Sequence, residues 1–267
     1  MGIFGRGGFG ALVAACVACS GGDSDAGGAS ARPIDTSLQT DEADGVLSSR
    51  GVRLNANMDA ADLAASDAPR ITHGPVTLYA GFEQIGLNQN PLFFRVDEAD
   101  DGGDASVVYM RRHETQPPDG RMLGLTWDGG PYAYAVYSIV GGGTDLEGKG
   151  GWLSSYAPGA ISGGGPKVSV VGRIPVETGE LERATFIISV LSSGRVNSHS
   201  VRAPLAVLPD GTVEFLGESA HKPIAPDGRN SLDCTDYPFD TRYRLSADLS
   251  TLICAESTNC TSPTPCS

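Results

Sequence analysis

Apolar and polar residues alternate along this chain over short runs, and the runs recur from Val76 to Cys254. They are Val76 to Phe82, Leu92 to Val96, Ser106 to Met110, Met122 to Trp127, Tyr132 to Val140, Val168 to Ile174, Ala184 to Leu191, Pro204 to Leu208, Val213 to Leu216, Thr241 to Leu245 and Thr251 to Cys254. Such runs, rich in Val, Ile, Leu, Tyr and Phe, predict β-strands. Turn residues separate nearly all of them. Asp128-Gly129-Gly130, Thr178-Gly179, Ser193-Gly194 and Asp210-Gly211 suit hairpin turns, because Gly accepts positive φ without a steric penalty. The one helical pattern, Met58 to Ala65, predicts a short linker helix. The expected fold class is all-β.

The strands repeat when aligned on their turns. Leu125-Thr126-Trp127-Asp128-Gly129 leading into Tyr134-Ala135-Val136-Tyr137 parallels Val207-Leu208-Pro209-Asp210-Gly211 leading into Val213-Glu214-Phe215-Leu216. A second half-unit recurs as Phe94-Arg95-Val96, Gly172-Arg173-Ile174 and Tyr243-Arg244-Leu245, at intervals of about 70 to 80 residues. The segments LPDGTVEFLGES and KVSVVGRIPVETGELERATF resemble the four-stranded blades of bacterial secreted β-propeller repeats. That resemblance implies antiparallel, four-stranded, blade-like units. Propellers use about four to eight blades, and the chain offers three units. A partial stack, a ring completed by other copies, or a β-sandwich or barrel without blade symmetry are the architectures that fit.

Before the first strand the pattern changes character. Met1 to Gly8 holds one cation, Arg6, and the apolar run Phe9 to Ala18 comes next, as in a secretory signal. The run is shorter than the roughly 20 apolar residues that span a bilayer. It ends in VAACVACSGG, which resembles the lipobox of bacterial lipoproteins, where a cysteine becomes the lipidated first residue of the mature chain. The resemblance implies lipid on Cys19, with Cys16 the alternative. Ser20 after Cys19 further implies transfer to the outer membrane or cell surface, the periplasmic side being the other orientation. Residues 20 to 50 are Gly, Ser, Ala, Asp and Thr with almost no large apolar side chain, and predict a disordered tether spanning on the order of 30 Å. The expected organisation is thus a signal segment over 1–19, a tether over 20–50, an all-β body over 51–256 and a Cys- and Pro-rich tail over 257–267.

Composition narrows the function. The 267 residues are 40% hydrophobic and 19% charged, enough apolar surface for a packed core. A formal net charge of −13 repels a phosphate backbone, so nucleic acid is not an expected partner. Cys234, Cys254, Cys260 and Cys266 form an even set at one end of the chain and predict two disulfides in an oxidising compartment. Three pairings are open. Cys234 with Cys254 and Cys260 with Cys266 is the expected one, the first stapling the last strand pair and the second tying off the tail. A zinc site made of these four thiolates would lack its usual paired C-x-x-C-type knuckles.

Candidate chemistry is sparse. Asp97, Asp101 and Asp104 around Gly102 are the calcium candidate, since Ca²⁺ takes several carboxylate oxygens on a tight turn, although an EF-hand spacing is not met. Gly143-Thr144-Asp145-Leu146-Glu147-Gly148-Lys149 spells the skeleton of a phosphate-cradling loop. Gly150 and Gly151 stand where that loop needs a Ser or Thr and a helix start, so a flexible surface loop is expected. Ser162 sits in a partial nucleophile-elbow pattern within a Gly-rich loop. His73, His113, His199 and His221 lie in separate turns. Trp127, Tyr132, Tyr134, Trp152 and Tyr156 cluster in one unit, and Trp127, Trp152 and Tyr156 are the candidate ligand surface, while the Tyr132-Ala133-Tyr134-Ala135 alternation suits a core-facing row.

The leading expectation is a non-enzymatic, membrane-anchored lipoprotein presenting a binding domain for a protein or glycan, with no cofactor besides the candidate calcium. An envelope hydrolase using the Asp97–Asp104 carboxylates or Ser162 with a distant His is the alternative. A structural envelope role stands third.

Overall fold

A computed structural model describes residues 45–99, 102–116, 119–141, 144–156 and 165–266. Cys16, Cys19, Asp101, Ser162 and nearly all of the tether lie outside the described residues.

The described chain is all-β, and its ladders are antiparallel. After β1 (Val46–Leu47) and the single helix α1 (Ala60–Ala65) comes a first unit of β2 (Arg70–His73), β3 (Val76–Ile85), β4 (Asn88–Asp97) and β5 (Ser106–Arg112). The second unit is β6 (Asp119–Thr126), β7 (Tyr132–Val140), β8 (Lys167–Pro175) and β9 (Arg183–Ile187). Short strands β10 (Ser189–Val190), β11 (Val196–Asn197) and β12 (Ser200–Val201) bridge to a third unit. That unit is built on β13 (Ala206–Val207), β14 (Val213–Ser219), β17 (Phe239–Leu245) and β18 (Leu252–Ser257). Between and after these lie β15 (Lys222–Pro223), β16 (Asp233–Cys234) and β19 (Cys260–Thr261).

The repeat seen in the sequence corresponds to these units. Each is a meander of four neighbouring strands, with β1 added beside β6 and β12 beside β14. Asp128-Gly129 turns β6 into β7 and Asp210-Gly211 turns β13 into β14, and both glycines take the positive φ the turns demand, 84° and 80°. Arg95, Arg173 and Arg244 each lie on the third strand of their unit.

Register decides which faces meet. On β7 and β8, Ala133, Ala135, Tyr137 and Ile139 stand opposite Ile174, Gly172, Val170 and Val168, and this face packs on Leu78, Ala80 and Phe93 of the first unit. The other face, with Tyr134, Val136, Val171 and Ile187, packs on Val213, Phe215, Tyr243 and Leu245 of the third. The middle unit is therefore buried on both faces, and three sheets lie face to face. Consequently Tyr134 and its alanine neighbours point to different cores, where the sequence suggested one core-facing row.

The ends of the stack are closed differently. The outer face of the first unit, Tyr79, Leu92, Phe94 and Val96, is covered by Leu54, Leu63 and Ala68 on and around α1. Asp59 caps that helix by accepting the Asp62 N–H. On the third unit the outward row carries Glu214, Arg242 and Arg244, with Glu214 bridging both guanidiniums at 2.7 and 3.0 Å. Glu214 is buried, so its charge must be satisfied from both sides, and it is.

Three expectations need correction. The disulfides are Cys234–Cys260 and Cys254–Cys266, not the expected Cys234–Cys254 and Cys260–Cys266. Cys234 is not on the last strand pair at all. It lies on β16, whose partner β19 sets Cys260 directly opposite it, while Cys254 on β18 faces outward and meets the returning tail. Of the expected tail over 257–267, the described residues 257–266 are accordingly more than a tail, since β19 is a paired strand and the Ala255 N–H donates to the Thr264 carbonyl. At the other boundary Val46 and Leu47, inside the expected tether, already pair with Leu125 and Gly124.

Candidate functional site

The two ends of the stack's strands differ in what joins them. One end, where the described chain begins at Gly45 beside Thr126, carries short turns such as 127–131 and 208–212. The opposite end carries the short connections after β3 and β5 and the starts of the two longest stretches, 141–166 between β7 and β8 and 220–238 between β14 and β17. Long loops on a rigid scaffold are where binding groups concentrate.

At this loop end Glu114, directly after β5, is wholly enclosed. Its carboxylate accepts the N–H groups of Gln116 at 2.8 Å, Asp145 at 3.0 Å and Thr115 at 3.1 Å, and the Thr144 hydroxyl. Asp145 in turn accepts the Thr115 N–H and hydroxyl at 2.9 and 2.8 Å. The two carboxyls clasp the loop after β5 to the loop after β7. Burial pushes the Glu114 carboxyl up to about 7, against the opposing pull of the Gln116 and Asp145 N–H donors. Asp145 resists its own partial burial and is held below the usual carboxylate range by the Thr115 hydroxyl and N–H. The flexible surface loop expected over Thr144 to Lys149 is instead anchored, because Leu146 is buried in the first core. A lone Leu among Asp, Glu and Gly is the signal for it in the sequence.

Beside this clasp the connector places His113 between the first two units. Its Nε2–H donates to the Gly179 carbonyl at 2.8 Å, which leaves Nδ1 to accept the Tyr137 hydroxyl at 2.6 Å. The next connector does the same with His199, bonded to the Tyr243 hydroxyl at 2.9 Å between the second and third units. Burial lowers these imidazoles to about 4 and about 3. Two imidazole–phenol pairs thus lock the two unit interfaces.

The candidate residues from the sequence do not converge. Asp97 is held by Arg95 through two bonds of 2.7 Å, and Asp104 is exposed on the chain leading into β5. Any calcium at Asp97 would have to displace that guanidinium. Among the described residues no group of three or more His, Cys, Asp or Glu is placed to hold a metal ion. Of the candidate ligand-stacking rings, Trp127 and Tyr156 are core residues, 4% exposed each, and correct the expectation of a ring surface. Trp127 donates Nε1–H to Gly130 and packs edge-on to His73, and Tyr156 bonds the Gly141 carbonyl and packs on Phe186. Trp152 is half-buried between two cores with its Nε1–H committed to Pro226. These rings are rich in Gly-bearing neighbours because they fill space beside turns, not because they face solvent. His73 donates to the Trp127 carbonyl at 2.7 Å, so it too is part of the packing.

Comparison of the chain with protein-family models, curated proteins and solved structures finds no match. Function is therefore argued from the residues alone.

Proposed function

We propose that this chain is an exported lipoprotein, anchored by lipid on Cys19 with Cys16 the alternative, whose three-unit β stack binds a protein or glycan outside the cytoplasm. The observation that carries the reading is the pair of disulfides in the last fifth of a chain whose leader runs into a lipobox-like VAACVACSGG. Disulfides persist in oxidising compartments, and such a leader supplies both the export route and the thiol. Several acyl chains at about 0.8 kcal/mol per buried CH2 would make the anchorage durable.

Binding is favoured over hydrolysis by how the acidic groups are used. A catalytic carboxyl must come within hydrogen-bond reach of its substrate. Glu114 and Asp145 have the divided acidities of an acid–base pair, yet Glu114 is enclosed and saturated by donors, and Asp97 is committed to Arg95. In cells fed radiolabelled palmitate, the protein takes up label and the Cys19→Ala variant does not. Equal labelling of that variant would remove Cys19 as the anchor, and no labelling of the parent would remove lipidation.

A further inference from the structure

We propose that residues 262–266 form a redox-operated strap, stapled to β18 by Cys254–Cys266, which a dithiol reductant releases while the three sheets stay folded. Among the described residues β18 is the outer strand of its sheet, in the order β12-β14-β17-β18. The strap lies along that open edge. The Ala255 N–H donates to the Thr264 carbonyl at 3.3 Å, and the Ala255 carbonyl accepts the Ser262 hydroxyl. Among the described residues no other hydrogen bond joins the strap to β18.

The residues of the strap explain why so few bonds form. Pro263 and Pro265 flank Thr264 and have no N–H to give to a ladder. The Thr264 N–H turns back to the Ser262 hydroxyl oxygen at 3.2 Å. The disulfide is thus the main attachment of the strap, and cutting it leaves little to hold the edge covered.

The two disulfides differ in what remains once either is cut. Cys234 is buried in the third core, Cys260 packs against that core, and the pairing of β16 with β19 sets them directly opposite each other. That ladder keeps their sulfurs together and favours closure again. Cys254 faces outward opposite Arg244, and only the strap brings Cys266 to it. Cys254 is 3% exposed and Cys266 is half-buried, so a thiolate reaches Cys266 first. Attack on Sγ of Cys266 breaks the S–S bond, and Cys254 departs as a thiolate. The second thiolate of the dithiol then attacks its own sulfur in the mixed disulfide and frees Cys266. The reductant ends as an internal disulfide, having passed two electrons and two protons to the protein sulfurs. Release bares the Ala255 N–H and C=O, and an uncovered strand edge is a template for pairing with another strand.

The test treats the full folded chain with graded dithiothreitol, blocks free thiols with N-ethylmaleimide and maps the peptides. Cys254 and Cys266 should be blocked at a reductant concentration at least about tenfold lower than Cys234 and Cys260. At that concentration the Ala255 amide, followed by NMR hydrogen exchange, should speed up at least about tenfold more than that of Tyr243, its partner on β17. Near-ultraviolet circular dichroism should be retained. The double variant Cys254→Ser, Cys266→Ser should show the same exchange with no reductant. Opening of both disulfides together, or of Cys234–Cys260 first, would overturn the inference. So would an Ala255 amide that speeds up no more than Tyr243, or loss of the near-ultraviolet signal in the singly reduced parent or in the double variant.

Discussion

Gly217 shows how far single positions are fixed by their neighbours. A Cβ there would lie 2.1 Å from Cε1 of His199, so the imidazole occupies the space the glycine leaves. Gly217→Ala should therefore cost on the order of 1–3 kcal/mol, and pairing it with His199→Ala should recover part of the loss in a double-mutant cycle of thermal unfolding. The two buried histidines of the unit interfaces set an acid limit. Their folded acidities, about 4 for His113 and about 3 for His199, lie below the ordinary value of 6.5, so the folded state refuses protons that the unfolded chain accepts. Stability is fully present above pH 6.5 and falls as the pH drops toward 4, by about 3 kcal/mol for His113 alone. Glu114 acts in the opposite sense. Raised to about 7, it contributes most at low pH and its contribution is lost as pH rises from 4.5 through 7. Thermal unfolding followed from pH 4 to 8 should show a flatter alkaline side in Glu114→Gln and a flatter acid side in His113→Gln. Identical profiles for parent and variants would contradict both assignments.

The strands were largely legible, and the reasons they were are local. Tyr132 to Val140 matches β7 residue for residue, and Asp-Gly pairs marked the turns of the second and third units, because period-two alternation and positive-φ glycines act over a few residues. The short elements were not legible. Strands β11, β15, β16 and β19 have two residues each, and nothing in two residues carries a period. Of these, β16 and β19 set Cys234 against Cys260, which explains why the even cysteine count was readable and the partners were not. Peptide mapping without reduction should recover Cys234 joined to Cys260 and Cys254 joined to Cys266. Removing the second bond as Cys254→Ser with Cys266→Ser should lower stability by about 2–3 kcal/mol, because the outward face of β18 loses its covalent link to the tail. Recovery of Cys234 with Cys254 would refute the strand order that places β16 against β19.

At the scale of the whole molecule the repeating arginine turned out to mark a face. Arg95 reaches toward the second unit, where it meets the Val176 carbonyl, and Arg173 lies in the row that faces the third and covers Tyr132 at 3.4 Å. Arg244 sits in the same place on the third unit, and there it meets Glu214 of its own sheet instead of a following unit. Charge and a returning tail close one end of the stack, while the helix closes the other by covering the outer apolar face of the first unit. Sequence periodicity announced the units, but their face-to-face order depends on packing between residues far apart in the chain, which no local period encodes. The candidate site was hidden for the same reason: Glu114 and Asp145 are ordinary loop carboxyls until β6 and β7 bring their loops together. The claim on which the functional account turns is export with lipid replacing the leader, and intact mass spectrometry of protein taken from the membrane fraction addresses it in one spectrum. The account predicts a chain beginning at Cys19, heavier by an acyl lipid, that gains the mass of four hydrogens on reduction of its two disulfides. A chain that retains Met1 to Ala18, carries no lipid and gains nothing on reduction would contradict it.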